Sequence, residues 1–165
     1  MALRAATEAD VEAIGGIYAH YVESGVATFE LEPPSLDELR GRMRDVHAAG
    51  LPYLVDVVDG AVAGYAYCTP WKARPAYRFT VEDSVYVAPE AIGQGVGGRL
   101  LDALLEQCAA AGIQQVIAVI VDSDAAGSLT LHRRRGFVEA GRLTGVGFKH
   151  GRWLDTVLLQ KRLAN

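Results

Sequence analysis

The run from Ser84 to Val121, SVYVAPEAIGQGVGGRLLDALLEQCAAAGIQQVIAVIV, constrains the fold more than any other part of the chain. It opens as a strand that Pro89 stops. It continues as a helix with Leu100, Leu101, Leu104, Leu105 and Cys108 on one side, ended by Gly112. It closes on a nearly unbroken β-branched run, typical of a strand covered on both faces. A strand, a helix and a second strand in this order form a right-handed crossover between parallel neighbours. The join between strand and helix holds four glycines, Gly93, Gly95, Gly97 and Gly98. Such a loop lets backbone N–H groups approach an anion closely. The helix start adds unpaired donors and the positive end of its dipole. A phosphate or pyrophosphate is the natural ligand, cradled by Gly93, Gln94, Gly95, Val96, Gly97 and Gly98.

Gly93, Gly95 and Gly98 also spell G-x-G-x-x-G, the shortest form of a dinucleotide fingerprint. Asp122 and Asp124 follow at about the right distance for a ribose contact. The chain after Gly98 is nonetheless too short for a doubly wound sheet, and the part before it does not form a second half. A P-loop is excluded because no Lys-Ser/Thr pair follows the glycines.

The remaining segments complete one α/β domain over residues 1–165. LRAA reads as an opening strand. Thr7 with Asp10 is a weak capping box before a helix with Val11, Ile14, Ile17, Tyr18, Tyr21 and Val22 on its apolar face. Ser35 with Glu38 caps a second helix from about Leu36 to Ala49. Asp59-Gly60 joins two strands as a hairpin. TPWKARPAYRFT reads as a loop, VEDSVYV as a strand, SLTLHRRR as a short helix, and FVEAGRL and WLDTVLLQKRL as two final strands.

Half of the 165 residues are apolar, enough for a core without disulfides or a metal. The net charge of −4 argues against a bulk nucleic-acid binder, although Arg133, Arg134 and Arg135 form a local basic cluster. Cys68 and Cys108 read as buried free thiols. His20 and His47 have no metal partners at useful spacing. The N-terminus lacks an apolar signal segment, and no run reaches the length of a membrane span. These features predict a soluble, cytoplasmic protein with no metal and neither nucleic acid nor membrane as partner.

The stretch VYVAPEAIGQGVGGRLLDALLEQCAAAGIQQVIAVIV resembles the acetyl-CoA-binding core of the GNAT superfamily of N-acetyltransferases. Gly95 and Gly97 match the glycines of its Arg/Gln-x-x-Gly-x-Gly/Ala motif, and Ile92 stands where that motif begins with Arg or Gln. ATFELEPPS, PWKARPAYRFTVEDSVYV, LHRRRGF and GFKHGRWLD resemble, in order, segments of its phosphinothricin N-acetyltransferase-like subfamily. The resemblance implies the GNAT fold, a mixed twisted central sheet splayed in the middle with flanking helices, and coenzyme A in the splay. It also implies acetyl-CoA as cosubstrate, a small amino acid analogue as acceptor, and a homodimer.

An amino group is mostly ammonium near neutral pH, so acetylation needs a base. Glu82 stands where the subfamily carries its candidate base, with Asp83 as rival or substrate contact. The main chain at Val85, Tyr86 and Val87 is implied to align the pantetheine arm, and that near Val87 to hold the acyl oxygen. His132 occupies the place where many relatives carry a tyrosine; it can protonate the departing thiolate or serve as a structural hydrogen-bonding residue. Ser128 matches a cofactor-contacting position. The asparagine often found before it falls on Ala125 or Asp124. For the acceptor, Lys72 and Arg74 are implied to bind a carboxylate. Trp71, Tyr77 and Phe29 wall a pocket, and Glu30 holds the ammonium. Lys149 and His150 either reach the substrate or form a polar turn, and Trp153 reads as core or interface. Two other readings stay open: transfer to a polyamine, aminoglycoside or protein N-terminus, and an acetyl-CoA sensor without turnover.

Overall fold

The computed structural model of the chain describes residues 2–123 and 127–163. Its strands are β1 (Ala2–Ala5), β2 (Tyr53–Val58), β3 (Ala61–Pro70), β4 (Thr80–Val87), β5 (Gln115–Val121), β6 (Val138–Lys149) and β7 (Arg152–Arg162). Its helices are α1 (Val11–Ser24), α2 (Leu36–Ala48), α3 (Val96–Ala110) and α4 (Gly127–Arg133). The strands form one sheet in the order β1-β2-β3-β4-β5-β7-β6. All neighbours pair antiparallel except β4 and β5, which the α3 crossover makes parallel.

Local chemistry sets the helix starts. The Ser35 hydroxyl accepts the Glu38 N–H at 3.1 Å at the head of α2. The Thr7 N–H donates to Asp10 Oδ2 at 2.8 Å ahead of α1. Helices α1 and α2 cover one sheet face, α3 the other. Gly64 on β3 lets α3 lie close, since a Cβ there would meet Val96 and Leu100. On the opposite face Tyr53, Tyr65, Tyr67 and Tyr86 stack across three strands beneath α1 and α2.

The sheet opens in its middle. β4 and β5 are paired only from Thr80 to Glu82, against Gln115 to Ile117. Beyond Glu82 the two strands have no shared register and the cavity lies between them. β5 alternates buried and less buried positions, with Val119 36% exposed. The expectation of a strand covered on both faces therefore holds on one face only. Ile120 and Ala118 are core, while Val119 and Val121 are apolar because they line the cavity.

β6 is longer than its sequence suggests. It runs past an irregularity between Leu143 and Gly147 and ends at Lys149, so the polar turn shrinks to His150 and Gly151. Gly145 adopts φ +60° within that irregularity, which resets the alternation and hides the strand from a periodic reading.

Cys68 and Cys108 are buried and free, their Sγ atoms 3.3 Å apart between β3 and α3. No helix among the described residues is long and apolar enough to cross a membrane. None of their His, Cys, Asp and Glu side chains gather in a group of three or more that could hold a metal.

Candidate active site

A cavity of about 1060 Å³ fills the splay. Its floor and one wall come from β4, the glycine loop, α3 and α4: Glu82 to Val87, Gly93, Gly95 to Gly98, Ser128, Leu131 and His132. Its other wall comes from Tyr21, the 24–29 segment, β5, the turn after β6, and Arg152 and Thr156 of β7.

The glycines divide the work of the loop. Gly93 and Gly95 hold φ of +86° and +78°, left-handed values that a side chain resists. Gly98 is instead packed closely, since a Cβ there would collide with the Arg135 guanidinium, whereas one on Gly97 would make only ordinary contact with Val87 and Leu131. The loop is braced by Arg99, whose Nη1 donates to the Gln94 carbonyl at 2.9 Å and whose Nε donates to buried Asp56 at 3.0 Å. The Arg99 N–H reaches back to the Gly95 carbonyl at 3.1 Å. The N–H groups of Val96, Gly97 and Gly98 precede any intrahelical acceptor and are available to an anion.

β4 offers its backbone to the same cavity. Ala88 N–H is bonded to the Ala63 carbonyl of the β3 side at 2.8 Å. Strand alternation then turns the N–H and C=O groups of Val87 and Val85 toward the gap. The Val87 carbonyl is taken by the Tyr21 hydroxyl, which donates to it. Sequence reading placed Tyr21 only on an apolar helix face; a hydroxyl on such a face needing a partner was the available signal.

Glu82 and Asp83 point to opposite sheet faces. Glu82 pairs in register with Thr69, and Ser84 with Tyr67, so Glu82 lies on the tyrosine face under α1 and α2. It lines the cavity where the splay begins. Burial raises its carboxyl above the ordinary range, the neighbouring Asp83 charge adds to this, and Lys72 opposes it. Asp83 lies on the α3 and α4 face, where its Oδ2 is 2.7 Å from His132 Nε2. His132 Nδ1 is 2.8 Å from the Ser128 carbonyl, so both ring nitrogens are engaged within the chain. Burial disfavours the charged ring, but the Asp83 hydrogen bond and charge outweigh it and raise His132 above its usual value. That ion pair favours folding at low pH and its contribution fades as pH rises through the raised value.

Of the acceptor residues expected from the sequence, Phe29, Asp83 and His150 line the cavity, and Glu30, Trp71, Lys72, Arg74, Tyr77 and Lys149 do not. Phe29 is seated on Gly147 of β6, where a Cβ would strike its ring. Glu30 is engaged by Arg42 at 2.6 Å and by the Tyr18 hydroxyl at 2.7 Å. Lys72 lies over the Trp71 ring at 4.9 Å, and Arg74 and Tyr77 are exposed in the 71–79 loop. Lys149 is buried and donates to the Thr28 carbonyl at 2.8 Å, tying β6 to the 24–29 segment beside Phe29. His150 lines the cavity, whereas Trp153 is 73% exposed and stacks on Phe148. Gln94 contributes its carbonyl to the Arg99 brace. Ala125 and Asp124 lie outside the described residues.

The acetyltransferase (GNAT) family model matches residues 15–137. The phosphinothricin N-acetyltransferase of Alcaligenes faecalis is 53% identical over 161 residues, covering 98% of this chain and 82% of that protein. An L-methionine sulfoximine/L-methionine sulfone acetyltransferase of Salmonella typhimurium is 35% identical over 163 residues, covering 99% of this chain and 95% of that protein. The crystal structure of a phosphinothricin acetyltransferase from Sinorhizobium meliloti, in complex with AcCoA, has a TM-score of 0.95 to this chain at 46% identity. That match covers 99% of this chain and 88% of the other.

Proposed function

The chain belongs to the acetyltransferase (GNAT) family and is an acetyl-CoA-dependent N-acetyltransferase, and we propose that its acceptor is a small amino acid analogue of the phosphinothricin, methionine sulfoximine or methionine sulfone type. The observation that carries the reading is Glu82, a half-buried carboxylate with raised proton affinity at the vertex of the splay, between the glycine cradle and the Phe29 wall. The relatives' printed activities supply the acceptor class.

Acetyl-CoA supplies the acetyl group on a thioester. The N–H groups of Val96, Gly97 and Gly98 suit its phosphates, and the open edge of β4 at Val85 and Val87 suits its amide-bearing arm. Glu82 takes the proton of the acceptor ammonium, directly or through water, and frees the amine to attack. The Val87 N–H, on the residue whose carbonyl Tyr21 already occupies, meets the negative charge that develops on the acyl oxygen. We assign His132 a positioning role, because its two ring nitrogens tie α4 to β4 through Ser128 and Asp83.

We place Lys72, Arg74 and Tyr77 in the acceptor site of a second copy of the chain. They are exposed and are not among the residues that line the cavity of their own chain. Val146, Phe148 and Trp153 expose 54 to 73% of their surface at the β6–β7 hairpin, an apolar patch of the kind that homodimers cover. The two thiols held 3.3 Å apart without a disulfide suit a reducing cytoplasm.

The test is a free-thiol assay with acetyl-CoA against phosphinothricin, methionine sulfoximine, methionine sulfone, common amino acids, spermidine and an aminoglycoside. Thiol release with the first three, and little with the last two, is expected. Release only with spermidine or the aminoglycoside would discard the acceptor class. Tight acetyl-CoA binding without release from any amine would favour a sensor.

A further inference from the structure

Two polar groups of β7 have no task in the machinery described above. Thr156 is 4% exposed, and its Oγ1 is buried without a hydrogen-bond partner among the described residues. Buried hydroxyls are ordinarily satisfied, so a retained orphan in a cavity wall marks a place that a ligand completes. Thr156 pairs in register with Val121, and Ile117, two alternations back along β5, pairs with Glu82. Thr156 therefore stands on the same sheet face as Glu82, across the splay. Alternation along β7 puts Arg152 on that face too, and it also lines the cavity.

Arg152 is the one Lys or Arg among the described lining residues, and it makes no ion pair among them. Its setting is otherwise acidic. Glu82 and Asp83 share the cavity; Asp83 is paired with His132, and Glu82 makes no ion pair among the described residues. An acceptor with an anionic group entering beside Glu82 needs a cation from this wall.

We propose that β7 reads the oxygen-bearing end of the acceptor. Thr156 donates its hydroxyl to a sulfonyl, sulfoximine or phosphinate oxygen inside the cavity, and Arg152 forks onto the acceptor carboxylate at the rim. The acceptor class is thus an amine with two separate oxygen-rich groups, one neutral or anionic deep in the site and one anionic at its mouth. This assignment rests on the acetyltransferase reading above. It gives the chain a cation of its own for the carboxylate, distinct from Lys72 and Arg74.

The test is steady-state acetyl transfer by the full-length wild type, Thr156→Val and Arg152→Gln to three acceptors: methionine sulfone, its carboxamide, and methionine. Thr156→Val should raise KM for the sulfone about tenfold and leave KM for methionine unchanged. It should also keep or raise the thermal midpoint of the ligand-free protein, because it removes a buried hydroxyl with no partner. Arg152→Gln should raise KM for the sulfone about tenfold and that for the carboxamide less than twofold. Neither variant should alter acetyl-CoA affinity by calorimetry. Equal changes across the three acceptors, or a lowered midpoint with unchanged selectivity in Thr156→Val, would overturn the assignment. A wild type inert toward every acceptor would instead overturn the acetyltransferase reading itself.

Discussion

The cofactor wall of the cavity comes from a short span of sequence, β4 through α4, whereas the acceptor wall is gathered from α1, the 24–29 segment, β5, the β6–β7 turn and β7. The first wall is held by local chemistry. Glycines set its turn, Arg99 braces it to β2 through Asp56, and the Asp83–His132 pair pins α4 to β4. The second depends on contacts between distant parts of the chain, such as Phe29 on Gly147 and Lys149 on the Thr28 carbonyl. A wall built within one crossover can persist while its substrate changes. A wall assembled from remote pieces can be altered one piece at a time, and that is where acceptor choice resides.

Substitution of Glu82 probes the vertex that the two walls share. Glu82→Gln should lower kcat/KM about a hundredfold while calorimetric acetyl-CoA affinity is unchanged. In the wild type, kcat/KM should fall as pH drops through the raised Glu82 value, because the base works ionised; in the variant that acidic limb should vanish. A surviving limb would move the base elsewhere. The sign for stability is opposite. A carboxyl whose folded value is raised favours folding below its unfolded value and loses that contribution as pH rises. Above the raised value the ionised Glu82 opposes folding, so in that range Glu82→Gln should raise the thermal midpoint.

A smaller effect separates the walls. Gly95→Asp places a carboxylate in a left-handed loop position beside the cradle, its Cβ 3.2 Å from Arg99. It should weaken acetyl-CoA binding about tenfold by calorimetry and leave the ranking of acceptors intact. A changed ranking would mean that the walls are not independent.

Trp153→Glu should act on the acceptor wall alone, with the smallest change. A charge in the exposed Phe148–Trp153 pair should shift the proposed dimer to monomer in sedimentation and raise acceptor KM severalfold, with acetyl-CoA affinity unaffected. A monomeric wild type with full activity would remove the 71–79 loop of a second copy from the site.

The contrast also explains what the amino-acid sequence disclosed. The strand–glycine–helix–strand run announces itself because its signals are local: periodicity, four glycines and a following β-branched strand. Glu82 was legible through resemblance. Asp83 and His132 were singled out separately, but not as a pair, since they lie on different elements and become adjacent only when α4 docks on β4. Glu30 looked free for an ammonium, yet the fold brings Arg42 of α2 and Tyr18 of α1 onto it. Gly98 looked like part of a phosphate fingerprint; the Arg135 guanidinium, lying where a Cβ would stand, adds a packing reason. Thr156 lies in a run that reads only as strand, and Arg152 just before it in the GFKHGRWLD segment; a hydroxyl gains meaning from the lack of a partner, which no spacing encodes.

The brief pairing of β4 with β5 has one more result. Past Glu82 each strand keeps an inner border of backbone donors and acceptors along the cavity. A guest that carries amides along its length can pair with these borders as a further strand would, so the gap selects by hydrogen-bonding pattern as well as by charge.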